Sequence, residues 1–440
     1  MACIYTTTFG GNLKKANMRQ LATLTLLLIS VLGFGQSLTN SDKIYGLSKI
    51  WSEAKFHFAN FDLVEIDWDS AYQATIPKVL ETKKDDEYYE ELIKFMVLLK
   101  DGHSNVYFPS TYYMDKGSIP MRTKLIEQKV IVIEILNDSL RTIHNIDVGD
   151  EIIEINGMNA IEYGQKYVKP FQSASTQQDL DIRTYRYSYL FGKLAEPVKL
   201  KIRKQNDRII ETSVFRIHLD KSKKPSITFT KLGMEVGLLT IDNFVDDNYK
   251  DLFDSIYPKI LLTKGLIIDV RKNGGGNNDQ CSYILSHFID KTVLGSKSKT
   301  RQTISAFIAW GFPESWYEIS PEKISPIEGK NKYLKPLVVL TSAQTFSAAE
   351  DFVVMFNNSK RGITIGSTTG GSTGMPYFFN LPGGGSARIC TKRDCFPNGK
   401  EFVGIGIKPD IEIQETVLSI QKHKDIALDG AIEYLEGKLK

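Results

Sequence analysis

Ser347 is the residue with the clearest potential for covalent chemistry. It lies in PLVVLTSAQTFSAAE, from Pro336 to Glu350, where an apolar strand-like segment runs into a helix start. A hydroxyl at that corner would lie among unpaired backbone N–H groups and the positive end of the helix dipole, an environment that stabilises an oxyanion. Ser347 and Glu350 also have the spacing of a capping box, which would make the serine purely structural. Both interpretations are open at this point.

A glycine-rich turn, Lys272 to Gly276, follows the apolar segment GLIIDVR and precedes a helical stretch. Such a turn exposes backbone N–H groups, so it could bind a phosphate. It has neither the Lys-Ser or Lys-Thr ending of a P-loop nor the GxGxxG pattern, which disfavours nucleotide binding. Exposed glycine amides also form oxyanion holes, which need only a nucleophile nearby.

His103 is the best candidate for a base, which a serine nucleophile needs because its unperturbed hydroxyl reacts poorly near neutral pH. The chain has six histidines, and His103 lies in the turn DGHS just past an amphipathic helix. Turns carry functional residues more often than cores do. The structural alternative is a contact between His103 and the helix C-terminus. The other five lie in apparent helices, strands or polar stretches and are expected to be structural.

The surrounding sequence predicts an α/β fold. Helical character extends to about Lys100, β-like segments follow from Val130, and strands alternate with helices from Ile227 onward. The runs GLLTI, GLIIDVR and PLVVLTS are continuously apolar, which is typical of strands covered on both faces. Ser347 and the glycine turn could therefore both lie at the carboxyl ends of neighbouring parallel strands, where open α/β sheets gather their sites.

The composition indicates an exported protein of two or three domains. The chain has 440 residues, 42% of them hydrophobic. Residues 1–35 contain three basic residues, no acid and the apolar run Leu21 to Phe34, which predicts a signal peptide and a periplasmic or secreted location. An N-terminal membrane anchor is the alternative, and Met1 or Met18 could be the start. After cleavage 52 basic residues balance 52 acidic ones, so we expect neither a nucleic-acid partner nor a stable membrane span.

Three cysteines remain in the chain after signal cleavage. Cys390 and Cys395 flank the turn-like stretch TKRD, and an exported protein could bridge them across a hairpin. Two unpaired thiols are the alternative. Cys281 would be left over as a small apolar residue on a helix. No metal-ligand spacing is present, and no cofactor is expected.

Six sequence elements together resemble the C-terminal processing, or tail-specific, serine peptidase family. They are DGHS, VGDEIIEING, GLIIDVRKNGGG, TSAQTFSAAEDF, RICTKRD and GKEFVGIGIKPD, in the order of that family. The resemblance implies an N-terminal helical segment at 36–112, a PDZ-like β-rich domain at 113–219 and a crotonase-like (ClpP/crotonase type) α/β peptidase core at 220–440. It implies that Ser347 is the nucleophile, with Gly275, Gly276 and the Ala348 amide at the oxyanion hole.

The base is where the sequence departs from the better-known branch of that family. That branch pairs the serine with a lysine in a turn after the next strand, and Ser372 stands about where the lysine would fall. The chain is more similar to the tricorn-like branch, in which a histidine in a DGH context like that of His103 acts as base. Glu401 is then the expected acid that orients His103, with Asp101 and Asp394 as rivals.

The resemblance predicts an exported serine endopeptidase that cleaves protein or peptide substrates without a metal or cofactor. His103 would take the Ser347 proton and return it to the leaving amine. The PDZ-like part would recognise a C-terminal segment of the substrate. The main alternative is a non-catalytic ligand- or peptide-binding protein on the same fold, like retinoid-binding relatives. An enoyl-hydratase-like enzyme is a third interpretation.

Overall fold

A computed structural model describes residues 37–219 and 225–439. The predicted signal peptide at 1–35 lies outside the described residues. We refer to 37–112 as the N-terminal region, 113–219 as the middle region and 225–439 as the core region. No helix in the described residues is long and apolar enough to cross a membrane.

The N-terminal region contains three long helices and a short strand. They are Asn40–His57 (α1), Trp68–Glu81 (α2), Asp85–Val97 (α3) and Asn105–Tyr107 (β1). Thr39 and Asp67 accept backbone N–H bonds with their side chains, which fixes where α1 and α2 begin. Apolar residues of these helices share one buried cluster with residues from the far end of the chain, namely Phe379, Leu381, Ala387 and Ile389. The helices of the N-terminal region therefore share their hydrophobic core with strands from the far end of the chain.

The middle region is built around a small antiparallel sheet. Its elements are Lys116–Ser118 (β2), Met121–Ile126 (β3), Lys129–Ile135 (β4), Ser139–Thr142 (α4), Glu151–Ile155 (β5), Met158–Asn159 (β6), Ala160–Tyr163 (α5), Gln177–Ile182 (α6), Phe191–Lys193 (β7), Val198–Arg203 (β8) and Ile209–Val214 (β9). The strand order is β3-β4-β5-β8-β9, with β6 paired to β5. β3 is thus an edge strand, and α6 lies beside it. α6 continues into a π-helical turn at Arg183–Tyr187.

The core region supplies the remaining strands and helices. The strands are Ile227–Lys231 (β10), Val236–Ile241 (β11), Gly265–Asp269 (β12), Val293–Leu294 (β13), Lys297–Gln302 (β14), Ser315–Ile319 (β15), Lys323–Ile324 (β16), Leu337–Thr341 (β17), Gly362–Gly366 (β18), Pro376–Asn380 (β19), Ser386–Cys390 (β20), Arg393–Cys395 (β21) and Ile411–Glu412 (β22). The helices are Tyr249–Leu261 (α7), Asn278–Ser286 (α8), Ser305–Ala309 (α9), Ala348–Ser359 (α10), Val417–Gln421 (α11) and Ile426–Leu439 (α12).

The main sheet of the core region has the order β10-β11-β12-β17-β18-β22. All pairs from β11 to β22 are parallel. Its two faces are both covered: Leu266 and Ile268 of β12 pack in a cluster with α7, α8 and α10, whereas Ile267 packs with α12. This explains the continuous apolar runs, and the prediction of an α/β layer with strands buried on both faces is confirmed.

Strands β12 and β17 are parallel neighbours, with Ile268 opposite Val339. The glycine turn leaves the carboxyl end of β12, and the segment leading to Ser347 leaves the carboxyl end of β17. The prediction that these two turns share one sheet edge is therefore confirmed. The residues with chemical potential lie at the edge where open α/β sheets gather their sites.

Four smaller sheets are present among the described residues, and one of them joins the N-terminal region to the core region. The strand orders are β1-β20-β19 and β15-β14-β21, and two-stranded pairs are β13-β16 and β2-β7. Cys390 and Cys395 lie on β20 and β21, which belong to different sheets. Both are buried free thiols, as is Cys281. The possible disulfide between Cys390 and Cys395 is therefore absent, because the TKRD stretch links two sheets and does not close a hairpin.

Candidate active site

Ser347 occupies a sharp corner between β17 and α10. Its backbone has φ 57° and ψ −129°, a combination that a non-glycine residue adopts only when its surroundings impose it. The Ser347 N–H donates to the Ser372 carbonyl at 3.1 Å, which helps to hold this geometry. The Ser347 side chain accepts no hydrogen bond from the helix N–H groups. The capping-box interpretation is therefore wrong, and the hydroxyl points elsewhere.

His103 lies in a turn whose backbone is held by a buried aspartate. Asp101 accepts from the His103 N–H at 3.0 Å and from the Ser104 hydroxyl at 2.8 Å. The next strand, β1, pairs with β20 and ties the turn to the core region. The His103 ring also stacks on Phe346, with a centroid distance of 4.8 Å and an angle of 14°. The imidazole is thus fixed by its own turn and by Phe346, the residue before Ser347.

The imidazole joins two serine hydroxyls from opposite sides. His103 Nε2 lies 3.0 Å from Ser347 Oγ, and Nδ1 lies 2.9 Å from Ser372 Oγ. The structure therefore brings together Ser347 and His103, which are 244 positions apart in the sequence. For Nε2 to accept the Ser347 proton, Nδ1 must carry the ring hydrogen and donate it to Ser372 Oγ.

The environment of His103 keeps its ring neutral near pH 7. Only 4% of the residue is exposed, and burial lowers its pKa well below the ordinary value of 6.5. The cations Arg388, Arg183 and Lys392 lower the pKa further. A neutral imidazole next to a hydroxyl is the form that a general base requires.

Ser372 is held by Glu350, a fully buried carboxyl group on α10. Glu350 accepts from the Ser372 and Gly371 N–H groups, each at 2.8 Å, and from the Thr369 hydroxyl at 2.5 Å. Burial raises the pKa of Glu350 to about 8 despite these donors. Glu350 therefore fixes the loop that carries Ser372 and does not reach back to the Ser347 N–H as a capping box would.

The acids that the sequence suggested as orienters of His103 do not contact its ring. Glu401 pairs with Lys299 at 2.7 Å, and Asp394 accepts from Ser298 at 2.5 Å and pairs with Lys392 at 3.0 Å. Asp101 holds the backbone of the turn. The expectation that Glu401 orients His103 is therefore wrong, because the position at Nδ1 is occupied by Ser372. The only sequence signal for Ser372 was its location where a lysine was expected.

The glycine turn lies against the corner that carries Ser347. Gly275 has φ +98°, and a Cβ added there would lie 2.6 Å from Ser347 Cβ and 2.9 Å from the Ala348 nitrogen. The Gly275 N–H itself donates to Asn273 Oδ1 at 2.8 Å, so it is not free. Within 37–219 and 225–439, the Gly276 and Ala348 N–H groups have no hydrogen-bond acceptor. Gly275 thus keeps the space before the Ala348 amide open.

These groups together can perform acyl transfer. A hydroxyl, a neutral base within hydrogen-bond distance and an unpaired backbone N–H group on the residue after the hydroxyl are components that nucleophilic attack on a carbonyl requires. Among the described residues, no group of three or more His, Cys, Asp or Glu side chains is arranged to hold a metal ion.

A separate groove of about 730 Å³ lies between the middle region and the core sheet. On one side it is lined by the end of β3 and by α6, including Leu125, Ile126 and Ile182. On the other side are the carboxyl ends of β17 and β18. The groove therefore follows the free edge of the middle-region sheet.

Comparison with known proteins finds a similarity to one peptidase family. The sequence model of peptidase family S41 matches residues 235–413, the part that contains the glycine turn and Ser347. The chain is also 22% identical over 371 residues to a carboxy-terminal-processing protease of Bartonella bacilliformis, covering 81% of this chain and 76% of that protein. The chain is therefore similar to peptidase family S41 over residues 235–413. It is a serine-type peptidase.

Further comparisons agree with this assignment. The chain is 22% identical over 405 residues to the carboxy-terminal processing protease CtpA of Bacillus subtilis, covering 89% of this chain and 74% of that protein. Among solved structures, mature CPAF complexed with lactacystin superposes with a TM-score of 0.71 at 16% identity. That match covers 90% of this chain and 97% of CPAF, so the two share a fold.

Proposed function

We propose that this serine-type peptidase is an exported endopeptidase that cleaves peptide bonds by a Ser347–His103 mechanism. The observation that carries the proposal is the 3.0 Å contact between Ser347 Oγ and His103 Nε2, with Nδ1 engaged by Ser372. Neutral His103 removes the Ser347 proton as Oγ attacks the substrate carbonyl, and the resulting imidazolium then protonates the leaving amine. In the second half of the reaction, His103 takes a proton from a water molecule as that water attacks the acyl group. The imidazolium then returns the proton to Ser347 Oγ, which leaves as the hydroxyl.

The oxyanion is stabilised by the N–H groups of Ala348 and Gly276. Neither N–H group has an acceptor among the residues that the structure describes, which supports this role because an oxyanion hole needs donors that are not already used. Ala348 is the first residue of α10, so the helix dipole adds to the stabilisation. Gly275 belongs to the site as the residue whose missing side chain leaves the Ala348 amide open.

The middle region acts as a PDZ-like substrate-binding part, and the core region as a crotonase-like core. The arrangement that supports the first assignment is the groove between edge strand β3 and α6. An extended peptide can add to such an edge through backbone hydrogen bonds. Two relatives are named carboxy-terminal processing proteases, which indicates that those proteins act near protein C-termini. We therefore assign C-terminal segments as the ligand of this groove.

Cleavage of matched peptides tests this function. We expect residues 36–440 to cleave an unstructured peptide with a free C-terminus, and the Ser347→Ala variant to be inactive. Amidation of the same peptide should raise KM, since the terminal carboxylate is lost, with little change in kcat. Mass spectrometry of the products gives both rates and cleavage points. Equal KM values for the two peptides would exclude recognition of the carboxylate, and no cleavage of any peptide would favour a binding protein.

Export rests on the sequence of residues 1–35. Their basic start and apolar run support cleavage of a signal peptide before Gln36. Mass spectrometry of the mature N-terminus after expression with an intact leader checks the assignment. A mature chain that still begins at Met1 or Met18 would contradict it.

A further inference from the structure

We propose that Asp179 and Arg183 of the middle region are positioning residues for the His103–Ser347 pair. The inference rests on the proposed function, and it adds that the middle region completes the active site as well as binding substrate. Asp179 lies in the first turn of α6, and Arg183 begins its π-helical extension one turn later. Neither belongs to the six motifs that carried the family resemblance.

Arg183 contacts both sides of the catalytic pair. Its Nη2 donates to the Gly102 carbonyl at 3.3 Å, next to His103 in the chain. Its guanidinium lies 5.2 Å from the ring centroid of Phe346, next to Ser347 in the chain. Since the Phe346 ring also stacks on the imidazole, one cation from the middle region fixes the aromatic residue that supports His103.

Asp179 holds Arg183 in the orientation that these contacts require. Arg183 Nε donates to both carboxylate oxygens of Asp179, at 2.8 and 2.9 Å. Asp179 is only 3% exposed, and burial raises its pKa to about 6, against the opposing effect of Arg183. The pair is therefore ionised at neutral pH, with a buried carboxylate and an arginine side chain that is 20% exposed. Hydrogen bonds between two charged groups are short and strong, so they hold the guanidinium in this orientation.

The His103 turn lies directly on this pair. A Cβ added to Gly102 would lie 2.8 Å from Phe346, 3.0 Å from Asp179 and 3.1 Å from Arg183. The Gly102 N–H also donates to Ser175 Oγ of the middle region at 3.0 Å. The turn is thus enclosed by middle-region atoms at its backbone N–H, its carbonyl and its α-carbon.

The same segment also holds the loop that carries Ser372. Thr176 Oγ1 donates to the Gly370 carbonyl at 2.7 Å, and Gln178 Nε2 donates to the Thr369 carbonyl at 3.1 Å. Residues 175–183 therefore contact Gly102 before the base, Phe346 before the nucleophile and the loop at Nδ1. Displacement of this segment would move all three, and a displacement of about 1 Å can cost about 100-fold in rate.

The test is the rate at which a small fluorophosphonate probe labels Ser347 in the full mature chain. The probe needs the nucleophile, the base and the oxyanion donors but not the substrate groove. Arg183→Lys keeps the charge and loses the planar fork; we expect labelling to slow about 10-fold. The double variant Arg183→Met with Asp179→Asn removes both charges without leaving a buried unpaired charge. We expect its labelling to be about 100-fold slower than that of the wild type. In peptide cleavage, kcat should fall and KM should stay within about 2-fold.

Lys166→Ala, an exposed cation of the same region, is the control and should label at the wild-type rate. Thermal melts check that each variant is folded at the assay temperature. If the double variant does not fold, the labelling rate of Arg183→Lys decides the test. Wild-type labelling in folded variants with a lowered Tm would show a merely structural ion pair and overturn the inference. Failure of the wild-type chain itself to label would overturn the proposed function and this inference together.

Discussion

At the scale of single residues, the site is distinguished by a hydroxyl at His103 Nδ1. A carboxylate at that position can only accept a hydrogen bond, so it fixes the tautomer that leaves Nε2 free. The Ser372 hydroxyl can donate or accept a hydrogen bond, and it can orient the imidazole only if its loop is held firmly. Glu350 provides that support through the Gly371 and Ser372 N–H groups. The orientation of the His103 ring is thus held by a hydroxyl whose loop is fixed by Glu350.

Removal of the Ser372 hydroxyl tests this arrangement. Ser372→Ala should lower kcat about 10-fold, since one hydrogen bond to the imidazole contributes on the order of 1 kcal/mol. Thr373→Val is the matched control: the neighbouring buried Thr373 hydroxyl has no partner among the described residues. Steady-state cleavage of one peptide by both variants gives the comparison. Equal kcat values for Ser372→Ala and wild type would show that Ser372 does not orient the base.

The pH dependence of the reaction follows from the lowered pKa of His103. His103 must be neutral to act as base, so kcat/KM should remain constant as the pH falls through 6.5 and decline only at lower pH. Because the unfolded chain binds this proton more readily than the folded chain, the same group also destabilises the fold as the pH falls below 6.5. Circular dichroism at each pH separates the two effects. An acid limb centred at or above pH 6.5 in folded protein would contradict the burial argument.

At the scale of elements, the site depends on two turns that leave neighbouring strands. β12 delivers the glycine turn and β17 delivers the Ser347 corner. The contact between the turns is closest at Gly275, where any side chain would meet Ser347 and the Ala348 nitrogen. The sheet therefore sets the distance between Ser347 and the proposed oxyanion donors.

Gly275→Ala tests the role of that contact. We expect kcat to fall at least 100-fold, because the methyl group fills the space before the Ala348 amide and the positive φ is strained. Gly274→Ala is the matched control, since a Cβ there meets no atom within 4 Å. Peptide cleavage and thermal melts are measured on both. Wild-type kcat in folded Gly275→Ala would exclude the Ala348 amide as an oxyanion donor.

At the scale of the whole molecule, the His103 turn depends on contacts between distant parts of the chain. α1 and α3 share a buried cluster with β19 and β20, and β20 pairs with β1 directly after the turn. The middle region encloses the other side of the turn. All three regions therefore contribute to the position of one imidazole.

Ile389→Ala tests the shared cluster. Ile389 is fully buried on β20, and its truncation should lower the free energy of unfolding by about 2–5 kcal/mol. Hydrogen exchange should become faster in both β20 and α1, because they share one core. Ile202→Ala, a fully buried residue of the middle-region core, should destabilise the protein without faster exchange in α1. Unchanged exchange of α1 in Ile389→Ala would show that the N-terminal helices have a separate core.

The sequence was informative where a function depends on local pattern. Apolar runs predicted the parallel strands, and a strand-to-helix corner and a turn after a helix identified Ser347 and His103. The partner of Nδ1 could not be predicted, because several acids and hydroxyls were plausible and only tertiary contacts decide among them. The same limit applies to Cys390 and Cys395: the stretch between them looks like a hairpin turn, yet it joins two sheets.

Fluorophosphonate labelling of the mature chain tests the central claim most directly. We predict that wild-type protein is labelled at Ser347, that Ser347→Ala is not labelled, and that His103→Ala reacts about 1,000-fold more slowly. Mass spectrometry identifies the labelled residue, and circular dichroism ensures that each variant is folded. Folded wild-type protein that resists labelling at every pH would contradict catalysis by Ser347. Equal labelling of wild type and His103→Ala would exclude His103 as the base.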